Sequence, residues 1–191
     1  MKTTHEFGTS CTVENRWAPM LDKWLAESYS IRPASMDEQW KGIDRVAIDE
    51  DGMPVGIDYK CDEQARRTGR IFIETVSNDV SGRKGWAWTS EAKWIFYLVT
   101  PDCVMAFLMS RLRKELPGWL RRFGERAAQN RGYRTLGVCV PLAVAQEAAE
   151  YVARLDLGDG VVLQERDSEE DPEPPAGGLA MQARLFAEGE Q

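Results

Sequence analysis

The chain predicts an α/β fold with a mixed β-sheet flanked by helices. Three observations carry that reading. An amphipathic helical stretch lies near the N-terminal end. A run of short β-branched and aromatic segments follows, separated by turn residues. Two more helical stretches then alternate with strands. A length of 191 residues suits one domain over 1–163, followed by an acidic Pro/Gly-rich linker and tail over 164–191.

Residues 12–29 read as the first helix, because Val13, Trp17, Met20, Leu21, Trp24 and Leu25 recur at helical spacing. Pro19 predicts a kink or a first-turn position. Glu14 falls on the apolar side of the wheel, near Trp17, Leu21 and Leu25, whereas Asp22 and Glu27 fall well off it. A carboxylate on a buried face is costly unless it is paired or bound to metal. The helix dipole also favours a carboxylate at a helix start.

Residues 30–39 read as a polar loop. Strands are expected over 41–48, 55–61 and 70–76, as a three-strand meander. Ser77-Asn78 and the segment 82–85 mark a loop. The run 94–99, Trp-Ile-Phe-Tyr-Leu-Val, is apolar throughout, which predicts a central strand covered on both faces. Thr100-Pro101-Asp102 turns into a strand over 103–107. A helix over 110–128, bent at Pro117-Gly118, leads to a strand over 134–140. Pro141 then opens a helix that ends near residue 155. Residues 167–178 form an acid-, Pro- and Gly-rich linker, and 179–187 a short helix or a tail.

Composition narrows the class. The net charge is −7, but it is unevenly distributed. Residues 147–191 hold twelve Asp/Glu against three Arg, while the rest holds 19 acidic and 21 basic residues. Arg111, Arg113, Lys114, Arg121, Arg122, Arg126, Arg131 and Arg134 make a band that serves equally as a phosphate-neutralising surface or as a solvated helix face. The longest apolar run is too short to span a bilayer, so no membrane partner is expected. Met1-Lys2-Thr3-Thr4-His5 leads into no apolar signal segment. Cys11, Cys61, Cys103 and Cys139 are scattered, which predicts reduced thiols in a cytoplasmic protein and argues against zinc.

The chemistry concentrates in two short runs, Gly42-Ile43-Asp44-Arg45-Val46 and Gly56-Ile57-Asp58-Tyr59-Lys60, joined by Asp49-Glu50-Asp51-Gly52. Two strands and a tight turn are predicted. Asp58 and Lys60, two apart, share one face of a strand, and an antiparallel partner brings Asp44 beside them. Two carboxylates and an ammonium at one point suit hydrolysis of a phosphodiester. Carboxylates hold Mg²⁺, with Mn²⁺ as a substitute, and the Lys assists the attacking water.

The order Glu14, then Gly42-Ile43-Asp44, then Asp58-Tyr59-Lys60 resembles the PD-(D/E)xK nuclease superfamily, whose members include restriction endonucleases and phage or mobile-element nucleases. The resemblance covers roughly residues 12–110, with Ile43 where Pro is frequent. It implies a restriction-endonuclease-like fold and a Mg²⁺-dependent deoxyribonuclease, an endonuclease ahead of an exonuclease. It further implies a nucleic-acid partner, DNA ahead of RNA, and a homodimer where both strands are cut. By this resemblance Glu14 matches the helix acid, Asp44 the first core Asp, and Asp58 and Lys60 the D-x-K pair.

Glu74 is a further candidate ligand, or a partner holding Lys60, if the strand over 70–76 pairs with the one over 55–61. Its bland alternative is a strand-edge partner of Arg70 or Lys60. Arg66, Arg67 and Arg70 lie just past the site and Arg83 and Lys84 in a loop. They suit phosphate contact, or merely solvated surface. Trp86, Trp88 and Trp94 suit base stacking, or, more often at this density, the core. His5 lies in a terminus that gives it no catalytic role. The rival function is a catalytically inert nuclease-fold protein that binds or inhibits, with the acidic tail mimicking DNA.

Overall fold

The structure is a computed structural model that describes the backbone of residues 7–48, 52–155 and 161–164, and the side chains of 16–48 and 52–155. The elements run α1 (Phe7–Leu25), β1 (Ser30–Pro33), α2 (Met36–Trp40), β2 (Arg45–Ile48), β3 (Pro54–Asp62), α3 (Ala65–Thr68), β4 (Arg70–Asn78), β5 (Arg83–Lys84) and α4 (Trp86–Thr89). They continue with β6 (Trp94–Val99), β7 (Cys103–Leu108), α5 (Met109–Phe123), β8 (Glu125–Gln129), β9 (Arg134–Pro141), α6 (Leu142–Ala148), β10 (Tyr151–Leu155) and β11 (Val161–Gln164). The class is α/β with two sheets. A seven-stranded sheet has the order β1-β2-β3-β6-β7-β10-β11 and a four-stranded sheet the order β5-β4-β9-β8. Among the described strands of the larger sheet, β3 and β6 alone run parallel, so that sheet is mixed.

Strand alternation divides the core. Ile57 and Tyr59 on β3, with Trp94, Phe96 and Leu98 on β6, point to the face covered by Leu21, Trp24 and Leu25 of α1. The opposite face carries Ile95, Tyr97 and Val99. It packs against Ile71 and Ile73 of β4, Val138 and Val140 of β9, and Leu112, Leu116 and Trp119 of α5. Every residue of β6 is buried, as its apolar run predicts. Asp58 and Lys60 stand opposite Ile95 and Tyr97 in register, so they share the second face.

Several expectations need correction. The segment 30–39 is not a loop: it forms β1 and α2. Ser35 and Glu38 make a capping box, and Arg32 holds Glu38 through two bonds of 2.8 and 2.7 Å. The strand expected over 41–48 is only β2, because α2 and its turn occupy the residues before Asp44. The three-strand meander does not form. β2 and β6 take both edges of β3, so β4 joins β9 and β5 in the second sheet. The helix expected over 110–128 stops at Phe123, where Gly124 (φ 71°) donates its N–H to the Leu120 carbonyl, and β8 follows. The helix expected from Pro141 to residue 155 ends at Ala148; β10 then pairs with β7. The linker and tail over 164–191 lie outside the described residues, apart from Gln164 at the end of β11.

Tyr97 joins the layers. Its buried hydroxyl donates to Asp62 Oδ2 (3.0 Å) and accepts the Phe72 N–H (3.2 Å) on the β4 edge that β9 leaves open. Burial, then the neighbouring Asp62 charge, pushes the phenol well above its ordinary range, so it stays a donor. Tyr97→Phe leaves the Phe72 N–H without this partner. It is expected to lower stability by about 1–3 kcal/mol, read as a lower urea midpoint with an unchanged slope.

Candidate active site

Asp58 is the centre of the site. It is only 2% exposed, although it is a carboxylate. Lys60 Nζ donates to Asp58 Oδ1 at 2.5 Å and to the Tyr59 carbonyl at 3.0 Å. Among the described residues Asp58 Oδ2 is buried and receives no N–H or O–H donor, and the Asp44 carboxyl lies within hydrogen-bonding reach of Asp58. Burial pushes the Asp58 carboxyl up to about 7; Lys60 opposes this and Asp44 adds to it.

Asp44 reaches the same point from the start of β2. Its N–H bonds the Ile57 carbonyl (2.8 Å), one residue out of the regular ladder. Its Oδ2 accepts the Tyr59 N–H at 2.8 Å. The side chain thus takes the place of a backbone partner where β2 ends, and this brings it within interaction range of Asp58. Gly42 (φ 73°) makes the approach possible. It turns the chain out of α2, its carbonyl accepts from Ser90 Oγ (2.9 Å), and a side chain there would meet Ser90 at 3.1 Å.

Glu74 lies on the other sheet, not beside β3 as the meander required, yet it still feels Lys60. Burial raises its carboxyl above the ordinary range. The Trp86 N–H, the Lys60 charge, the Ser77 hydroxyl and Arg83 pull the other way. Just after it, between Glu74 and Val76, β4 slips against β9 in a bulge. Trp86 closes this side, with Lys60 Nζ 5.7 Å from its ring centre. Glu74 thus lies within electrostatic range of Lys60.

The other candidates separate. Glu14 belongs to α1, but its side chain lies outside the described residues; the described part of α1 packs on the opposite face of β3. Asp22, off the apolar side of α1, binds Arg45 Nε at 2.8 Å and accepts from Tyr59 Oη at 2.9 Å, fastening α1 to the strands. Arg66 pairs with Asp102 and Arg67 with Gln64 Oε1, while Arg70 donates to the Cys139 carbonyl at 3.4 Å. Arg83 and Lys84 are exposed on β5. In the basic band, Arg113 donates to the Ala87 and Ser90 carbonyls, Arg111 pairs with Glu150 and Arg134 with Asp79. These three are internal fasteners. Lys114, Arg121, Arg122, Arg126 and Arg131 are exposed. Trp94 is core at 1% exposure.

Among the described residues no three His, Cys, Asp or Glu side chains stand ready to hold a metal. Mg²⁺ commonly needs only one or two carboxylates, its other ligands being water and phosphate. Two carboxylates in contact, one with an oxygen that lacks a donor, fit such an ion. No helix among the described residues is long and apolar enough to cross a membrane. No family model, curated protein or solved structure matches the chain.

Gly85 shows how tightly the Glu74 side is built. A Cβ there would fall 2.6 Å from both the Glu74 Cγ and its carbonyl oxygen, whereas one on Gly118 within α5 meets nothing within 4 Å. Gly85→Ala is expected to cost about 1–3 kcal/mol through overpacking. Gly118→Ala is expected to gain up to about 1 kcal/mol from helix propensity. Paired chemical denaturation curves check both signs.

Proposed function

We propose that the protein is a metal-dependent nuclease of the PD-(D/E)xK kind, hydrolysing phosphodiester bonds of DNA ahead of RNA. The observation that carries this reading is the buried, donor-less Oδ2 of Asp58 beside Asp44, with Lys60 bonded to the other oxygen. Burying a carboxylate with half its capacity unmet is costly, and a structural ion pair gains nothing from it. In this reading Asp44 and Asp58 hold Mg²⁺, which when bound neutralises phosphate charge and lowers the pKa of a water. Lys60 directs its ammonium to the attacking water and to the negative charge that develops on the phosphate. Glu74, fixed by the Trp86 N–H, keeps the Lys60 ammonium charged and oriented. Asp62 has a structural task instead, accepting from Tyr97 Oη and from the Gln64 and Ala65 N–H groups. Exposed Arg83 and Lys84, just before α4, would supply phosphate-binding charge.

The second reading is an inert protein of this fold that binds or inhibits, with the acidic stretch 147–191 presenting a DNA-like charge. Metal response separates the two.

Asp58→Asn is the preferred variant, because Lys60→Ala would strand a buried carboxylate at a cost of about 3–5 kcal/mol. Asp58→Asn and Asp44→Asn are each expected to reduce cleavage of linear, circular, branched or single-stranded substrates by roughly a hundredfold or more. Wild-type activity in both variants would refute the reading.

Mn²⁺ at about a hundred times its Kd is expected to stabilise the wild type by about 2.7 kcal/mol. A thermal melt would show this as a raised midpoint, and Asp58→Asn should not respond. A wild-type melt indifferent to Mn²⁺ and Mg²⁺ would favour the inert scaffold.

A further inference from the structure

Two tryptophans on the elements flanking the carboxylate site present indole surface to solvent. Trp40, the last residue of α2, is 85% exposed, and Trp88 in α4 is 40% exposed. Their elements meet at one junction: the Glu91 N–H donates to the Lys41 carbonyl at 2.7 Å and Ser90 Oγ to the Gly42 carbonyl at 2.9 Å. Trp40 is one residue from this junction and Trp88 two. The same junction continues through Ile43 to Asp44, and α4 begins with Trp86, which covers Lys60. Four residues of chain span at most about 14 Å, so Trp40 stands within one or two nucleotides of any phosphate held at Asp44.

An isolated surface apolar residue needs no explanation. Two indoles on one junction, beside a buried carboxylate pair, are a different arrangement. Indole faces stack on unpaired bases without regard to sequence, and they find no exposed base face in an intact duplex. The charges around them are mixed. Exposed Lys41 is drawn toward Glu91 at 3.7 Å, Asp37 and Glu38 share α2, and Arg83 and Lys84 lie just before α4. A binding mode led by stacking, with modest help from phosphate contacts, suits that balance better than capture of a duplex by its backbone alone.

We infer that Trp40 and Trp88 form a base-stacking platform that delivers an unpaired strand to the Asp44–Asp58 site, so that the substrate is single-stranded nucleic acid or a branched end with splayed bases. The identity of the ligand rests on the phosphodiesterase reading above.

The test uses the full chain in EDTA, so that no strand is cut, with fluorescein-labelled oligo-dT and a blunt duplex of equal length as probes. Trp40→Leu is expected to weaken oligo-dT binding about tenfold, and Trp40→Phe by less than about threefold, because Phe keeps a stacking face and Leu keeps only bulk. The Trp88→Leu and Trp88→Phe pair should behave alike, with circular dichroism confirming that the half-buried position still folds. Duplex binding should not change in any variant. Equal oligo-dT affinity in wild type and Trp40→Leu overturns the platform, as does wild type that binds no oligo-dT.

Cleavage with Mg²⁺ is scored separately. Trp40-dependent binding without any cleavage refutes the hydrolase and leaves the platform standing. Cleavage with Trp40-independent binding does the reverse.

Discussion

Everything near the site depends on the burial of one carboxylate, Asp58. β3 is a central strand, so both of its faces are covered. Alternation sends Ile57 and Tyr59 into an apolar layer under α1, and it must send Asp58 and Lys60 into the other layer. A carboxylate there requires compensation, which Lys60 supplies in part from the same face. The remaining oxygen, and the proximity of Asp44, leave the cluster short of positive charge. A proton or a cation relieves such a cluster, and that is the physical basis of the functional reading.

The second sheet makes this layer a closed environment. β4 meets β6 at its open edge, where the Tyr97 hydroxyl bonds the Phe72 backbone and Asp62. That docking brings Glu74 to the Lys60 side, and the bulge after it, with Gly85 packed hard against it, sets the geometry. The opposite face has its own fastening: Asp22 of α1 binds Arg45 and Tyr59. Two polar clusters thus grip β3 from both sides, one spent on structure and the other left electrostatically incomplete.

Much of this was legible in the residues. β3, β4, β6, β7 and β9 were expected within a residue or two of where they lie, because β-branched and aromatic runs bounded by turn residues leave few alternatives. The Asp58/Lys60 pairing followed from a two-residue period alone. The capping box of Ser35 and Glu38 was equally readable, and it would have revealed α2. The ends of α5 and α6 were less accessible. Residues 125–129 and 151–155 have modest strand propensity, and they become strands because β9 and β7 offer open edges. The Asp22 bond to Arg45 was not legible, because a wheel shows which side is apolar, not which polar residue meets an Arg from a distant strand.

By itself, then, the sequence determined the local facts: that the runs of β3, β4, β6, β7 and β9 are strands, that Asp58 and Lys60 share a face, and that the chain is α/β. Those follow from periodicity and steric preference within a few residues. Only the tertiary structure decided that β4 belongs to a second sheet, that Glu74 reaches Lys60 across a layer rather than along a ladder, and that Asp44 meets Asp58 by replacing a missing backbone partner. Each of these depends on edge availability and burial, which are properties of the assembled layers rather than of any segment within them.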